Sequence, residues 1–109
     1  MTWTAWTRFP DPRLRGILTA PFGPGVYQLR RADTGELVLV GRGKNTAFRM
    51  TSLLPAPLGQ GRRDNSAKRA YVQTWLSKIE YRCWPAETEA QATAFEAECL
   101  ANDDDLFPE

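Results

Sequence analysis

The run Gly25-Val26-Tyr27-Gln28-Leu29-Arg30-Arg31, the four residues Ala32-Asp33-Thr34-Gly35 and the run Glu36-Leu37-Val38-Leu39-Val40-Gly41 decide the fold class. Two β-favouring segments separated by Asp and Gly predict an antiparallel hairpin. Val26 and Tyr27 fall on opposite faces of the first strand, and Leu37 and Leu39 oppose Val38 and Val40 on the second. The second run is therefore apolar on both faces, which predicts a central strand covered on both sides.

Beyond the hairpin, Lys44 to Leu54 reads as a helix, with Asn45 as its N-cap and Pro55 and Pro57 as its end. Residues 55–64 form a loop rich in Pro, Gly and Arg. Asn65-Ser66 caps a second helix, Ala67 to about Lys78, whose apolar stripe is Tyr71, Val72, Trp75 and Leu76. Ile79 to Trp84 alternates and reads as a third strand, ended by Pro85. Glu87 and Glu89 favour the start of a last helix, because carboxylates are stabilised at a helix N-terminus. That helix runs to about Ala101. Before the hairpin, Pro10, Pro12, Pro21 and Pro24 block a long helix, so residues 1–24 are expected to be irregular. Trp3, Trp6 and Phe9 are expected to cover one side of the domain. The order β-β-α-α-β-α predicts one α+β domain over residues 1–109: a three-stranded antiparallel sheet flanked by helices, with an acidic tail at 102–109.

Composition excludes several chemistries. With 109 residues, 42% hydrophobic and 25% charged, the chain is an ordinary globular mixture of one-domain size. No apolar run approaches the ~20 residues a membrane span needs, and no basic-plus-apolar leader opens the chain, so a soluble cytoplasmic protein is expected. There is no histidine, which removes Ser-His-Asp and Cys-His catalysis and His-ligated metals. The two cysteines, Cys83 and Cys99, are too few for a four-cysteine zinc site and are expected to be buried free thiols rather than a bridge. The formal net charge is +1, but residues 1–82 carry all 14 Lys and Arg against five acids, and residues 83–109 carry eight acids and no base. A basic body with an acidic end suggests an anionic partner for the body.

Particular residues at the joints of these elements resemble the GIY-YIG endonuclease superfamily, over about Gly25 to Leu100. Gly25-Val26-Tyr27 matches the first motif, and Leu39-Val40-Gly41 is a reduced second motif. Gly41-Arg42-Gly43-Lys44-Asn45 looks like the family's glycine-lysine-asparagine turn, and Arg49, eight residues after Gly41, matches the family's helix arginine. The glutamate of the family's last helix matches Glu96 or Glu98; the apolar neighbours Phe95, Ala97, Cys99 and Leu100 favour Glu96. The chain departs from the pattern at three places. Leu39 stands for the second-motif tyrosine, Leu53 for a tyrosine one turn after the arginine, and the asparagine after the last helix has no clear counterpart.

The resemblance implies a metal-dependent DNA endonuclease. In that scheme Glu96 (or Glu98) holds one Mg²⁺ or Mn²⁺ ion and no zinc is involved. Arg49 would bind the scissile phosphate, since a planar guanidinium offers two parallel hydrogen bonds. Tyr27 would orient or deprotonate the attacking water, its hydroxyl activated by Arg42 or Lys44 if either lies beside it. The missing second-motif tyrosine points to a weak nuclease, or to a catalytically inactive module that binds nucleic acid or protein. Independently of the family, Arg42, Lys44, Arg49, Arg62, Arg63, Lys68 and Arg69 place seven bases within 28 residues, opposed only by Asp64. Arg42, Lys44, Arg62, Arg63, Lys68 and Arg69 are thus the expected contacts to DNA phosphates, without sequence specificity.

Overall fold

The structure, a computed structural model, describes residues 2–11, 18–51, 53–54 and 66–102. Four strands form one antiparallel sheet: β1 (Thr7–Arg8), β2 (Gly25–Arg31), β3 (Leu37–Gly43) and β4 (Ile79–Pro85), in the order β1-β4-β2-β3. Among the described residues three α-helices accompany it: α1 (Thr46–Thr51), α2 (Ser66–Thr74) and α3 (Glu89–Asn102). A 3-10 turn at Leu76–Lys78 joins α2 to β4. No helix among the described residues is long and apolar enough to cross a membrane.

The α+β class stands, and the hairpin forms where the sequence places it, with Tyr27 opposite Gly41 and Leu29 opposite Leu39. Two expectations about the sheet are corrected. It has four strands rather than three, because Thr7 and Arg8, inside the segment read as irregular, pair with Tyr81 and Glu80. The interior positions are held by β4 and β2, while residues 37–43 form an edge strand. Val38, Leu39 and Val40 are nevertheless fully or almost fully buried. Apolar residues on both faces report layers above and below a strand; they carry no information about whether the ladder continues sideways.

Those layers differ. On one face Tyr27, Leu29, Leu39, Ile79, Tyr81 and Cys83 pack with Met50 and Leu53 at α1, Val72 of α2 and Phe9. On the other, Val26 and Val40 pack with Ala92 and Cys99 of α3, rimmed by Trp3, Trp84 and Phe95. Each fully buried aliphatic side chain contributes roughly 1.5–3 kcal/mol. The N-terminal aromatics, expected to cover one side, are divided. Phe9 meets Tyr81 edge-on at 5.8 Å on the α1 face, and Trp3 packs against Phe95 of α3 at 5.5 Å. The cause is the β1 segment, which crosses the edge of β4 and delivers residues to both faces.

The first two helices are shorter than their patterns suggest, while the last reaches Asn102. Asn45 does cap α1, its Oδ1 accepting the Phe48 N–H at 3.1 Å. The helix ends at Thr51, after which Leu53 and Leu54 are held by tight-turn bonds to Met50 and Thr51. In the second helix Val72 and Leu76 are buried, whereas Trp75 is exposed and carries the Arg31 guanidinium 3.9 Å from its ring centroid. Arg31 also grips Asp33, and those charge-assisted bonds hold the Asp33 carboxyl below its usual range. Cys83 and Cys99 are buried free thiols on opposite faces of the sheet. Burial pushes the Cys83 thiol up to about 11.

Candidate functional site

At the end of the edge strand β3 the chain passes through Arg42, Gly43 and Lys44 into α1. Both flanking layers end there too, α1 on one side and α3 on the other. Their meeting leaves an open, shallow cavity of about 350 Å³ lined by Arg42, Gly43, Lys44, Arg49, Glu89 and Glu96. Three cations and two carboxylates thus share one hollow, supplied by the strand end, α1 and α3.

Each side chain has a local reason for being there. Arg42 lies opposite Val26, on the α3 face, so its side chain meets that helix. Its Nε donates to Glu96 Oε1 at 3.2 Å, with the Arg42 side chain 43% exposed. Glu96 is only 7% exposed, set among Ala92, Cys99 and Leu100 of the same apolar helix surface. A carboxylate this buried stays charged only when paired, and the Arg42 guanidinium supplies the pairing. Arg49 stands on the opposite flank. Its Cβ packs so tightly on the backbone of Gly43 that a Cβ built at Gly43 would lie 2.9 Å from it. The glycine lets α1 press against the strand end and brings Arg49 to the cavity.

Of the residues singled out in the sequence, Arg42, Lys44, Arg49 and Glu96 come together. Glu98, the alternative carboxylate, is exposed and does not line the cavity. Tyr27 also stands apart from the lining. It is buried on the α1 face, with its ring lying directly over the backbone of Gly41, and a Cβ there would collide with the ring and with the hydroxyl oxygen. Arg42 projects to the other face, so it does not sit beside Tyr27 as expected. Local alternation at the strand end is the reason, since Gly41 and Arg42 lie opposite Tyr27 and Val26 and so serve opposite faces. Leu39 and Leu53 are core residues of the Tyr27 side.

The wider basic surface divides similarly. Lys68 and Arg69 lie on α2, away from the cavity lining, and Arg69 donates to the Leu54 carbonyl at 3.1 Å. Arg62 and Arg63 lie outside the described residues, as does the tail from Asp103 onward. Glu89 was not anticipated as a site residue. The signal was present in its spacing, because Glu89 and Glu96 are seven residues apart and share one face of a helix.

A divalent cation would meet hard oxygen donors in Glu96 and Glu89. Among the described residues no group of three or more His, Cys, Asp or Glu that could hold a metal ion gathers. Compared with family models, curated proteins and solved structures, the chain matches none.

Proposed function

We propose that this chain is a metal-dependent DNA endonuclease of modest rate, a divergent relative of the GIY-YIG enzymes. One observation carries the reading: Arg42, Lys44, Arg49 and Glu96, spread over 55 residues, line a single open cavity at the sheet edge. Three cations around one hollow favour a phosphodiester. Arg49, reaching in from α1, would take the phosphate oxygens in a two-pronged grip, while Lys44 adds positive charge as the phosphorane develops. Arg42 ion-pairs with Glu96 and fixes its orientation. Glu96 would hold the Mg²⁺ or Mn²⁺ ion, which when bound would supply positive charge at the phosphoryl oxygen and a more acidic water. Without a second-motif hydroxyl to help orient the attacking water, a low rate is expected.

The test is nicking of supercoiled plasmid with Mg²⁺ or Mn²⁺. Weak metal-dependent nicking is expected, lost in Arg49→Ala and in Glu96→Ala. Leu39→Tyr raises it if a phenol can be seated in the core where Leu39 packs. The competing reading is an inactive DNA-binding module, favoured by that same buried Leu39. It becomes the better one if the wild-type chain retains plasmid without nicking it under any metal.

A further inference from the structure

Two phenylalanines stand out on the surface: Phe22 is 84% exposed and Phe48 66%. They are close in the fold though 26 residues apart in sequence. The loop carrying Phe22 is strapped to the start of α1 on both sides of that residue. The Ala47 N–H donates to the Pro21 carbonyl at 2.8 Å, and the Thr46 N–H and Oγ1 each donate to the Gly23 carbonyl at 3.0 Å. Thr46 is fully buried, so this strap is part of the core and not a surface accident. Phe48 sits two residues beyond Thr46 in the same helix, and its neighbour Arg49 lines the cationic cavity. Asn45 Oδ1 caps the Phe48 N–H, which fixes the helix turn that presents the ring.

Exposed phenylalanine is unremarkable when scattered. Here two exposed rings stand at one hydrogen-bonded loop-to-helix junction, and the residue after Phe48, Arg49, lines the hollow with Arg42 and Lys44. Cations for a phosphate chain beside aromatic faces without hydrogen-bonding groups form the combination that binds unpaired nucleotides: charge tracks the backbone and rings stack on bases. A fully stacked duplex offers no base face to such rings.

We propose that Phe22 and Phe48 form a stacking platform for unpaired bases beside the cavity, so that the substrate is single-stranded or locally unpaired DNA. This rests on the nucleic-acid reading of the cavity and adds the structural class of the substrate. The partner is chosen by charge complementarity; a protein surface seated on the same rings is the competing occupant.

Binding, not cleavage, tests it. Fluorescence anisotropy at low salt would compare the wild-type chain with Phe22→Ala, Phe48→Ala and the double variant. The probes are a thymidine 20-mer, an abasic 20-mer with the same phosphates, and a duplex of equal length. The wild-type chain should prefer the thymidine strand to the abasic one. Each substitution should weaken thymidine binding roughly five- to tenfold, in line with base–aromatic stacking, and leave abasic binding unchanged. Circular dichroism melting should be unaltered, because both rings are exposed. Equal affinity for thymidine and abasic strands, or an undiminished double variant, overturns the platform while leaving phosphate binding standing. No binding to any probe removes the underlying nucleic-acid reading along with it. A wild-type dimer in sedimentation that the double variant dissociates assigns the rings to a protein interface and overturns the proposal.

Discussion

Arg42 and Arg82 lie on the same face of the same sheet, each opposite a residue of β2, and they meet opposite fates. Arg82 faces Gln28, donates to its Oε1 at 2.8 Å, and lays its guanidinium 4.1 Å from the Trp3 ring centroid and 4.6 Å from that of Trp6. Arg30 joins the stack from β2, 4.1 Å from the Trp6 centroid and ion-paired to Glu80 at 2.8 Å. This Arg–Trp layer roofs the part of the sheet around Gln28 and Arg30. Arg42, at the open end of the edge strand, meets a single carboxylate and otherwise faces the cavity. A strand arginine's surroundings therefore depend on what covers it. Indoles take up the flat cation as packing material, whereas an open edge leaves it facing solvent beside a carboxylate.

The sharpest way to break this contrast is to delete one member from each region. Glu96→Ala should lower plasmid nicking by about 10²-fold or more, the scale of losing a preorganised charge at a reacting phosphate. Arg82→Ala, assayed well below its melting temperature, should leave nicking within about twofold of the wild-type chain, against the tenfold that a loss of ~1.4 kcal/mol of transition-state stabilisation would give. The reverse pattern would move the active region to the Arg–Trp layer.

Next in size is the packing that bounds the cavity. Gly41→Ala places a methyl group inside the Tyr27 ring and should destabilise the fold by about 1–3 kcal/mol in chemical denaturation. A neutral result would mean that the ring can leave the α1 face, and with it the separation of Tyr27 from the cavity. Arg82→Ala should cost somewhat less, about 1–2 kcal/mol, through lost stacking on Trp3 and Trp6 and lost cover over Gln28. Arg82→Lys should recover little of it, because an ammonium has no flat face to stack.

The smallest effect separates the two regions by salt. Lys44→Ala should reduce the slope of log affinity against log salt for duplex DNA by about 0.9, one phosphate contact. Arg82→Ala should leave that slope unchanged. A flatter slope in Arg82→Ala would show that the stacked guanidinium still reaches a phosphate.

Much of the ladder was legible beforehand. The hairpin, the alternation of Ile79–Trp84, the Asn45 cap and the last helix all follow from local periodicity and capping chemistry, which act within a few residues. Reading Glu96 over Glu98 also succeeded as to burial, because apolar neighbours on a helix mark the inward face. Thr7–Arg8 escaped because a two-residue strand has no period to detect, and β3 was placed at the centre because burial on both faces resembles centrality. Glu89 reads as a helix-start charge, and it stands in the first turn of α3. Its second role depends on what lies across from that turn.

The sequence by itself determined the hairpin, the alternating strand at Ile79–Trp84 and the last helix, that histidine chemistry is absent, and that a cluster of bases precedes an acidic end. These are properties of composition and of short-range spacing. Only the tertiary structure decided that Arg42 answers to Glu96 and Arg82 to two tryptophans, and that Arg49 shares a hollow with both carboxylates while Tyr27 does not. The physical reason is that a side chain's face follows from local alternation, but the group it finds on that face is delivered by chain tens of residues away. Arg42 and Glu96 are separated by 54 residues and Arg82 and Trp3 by 79, distances over which no local rule operates.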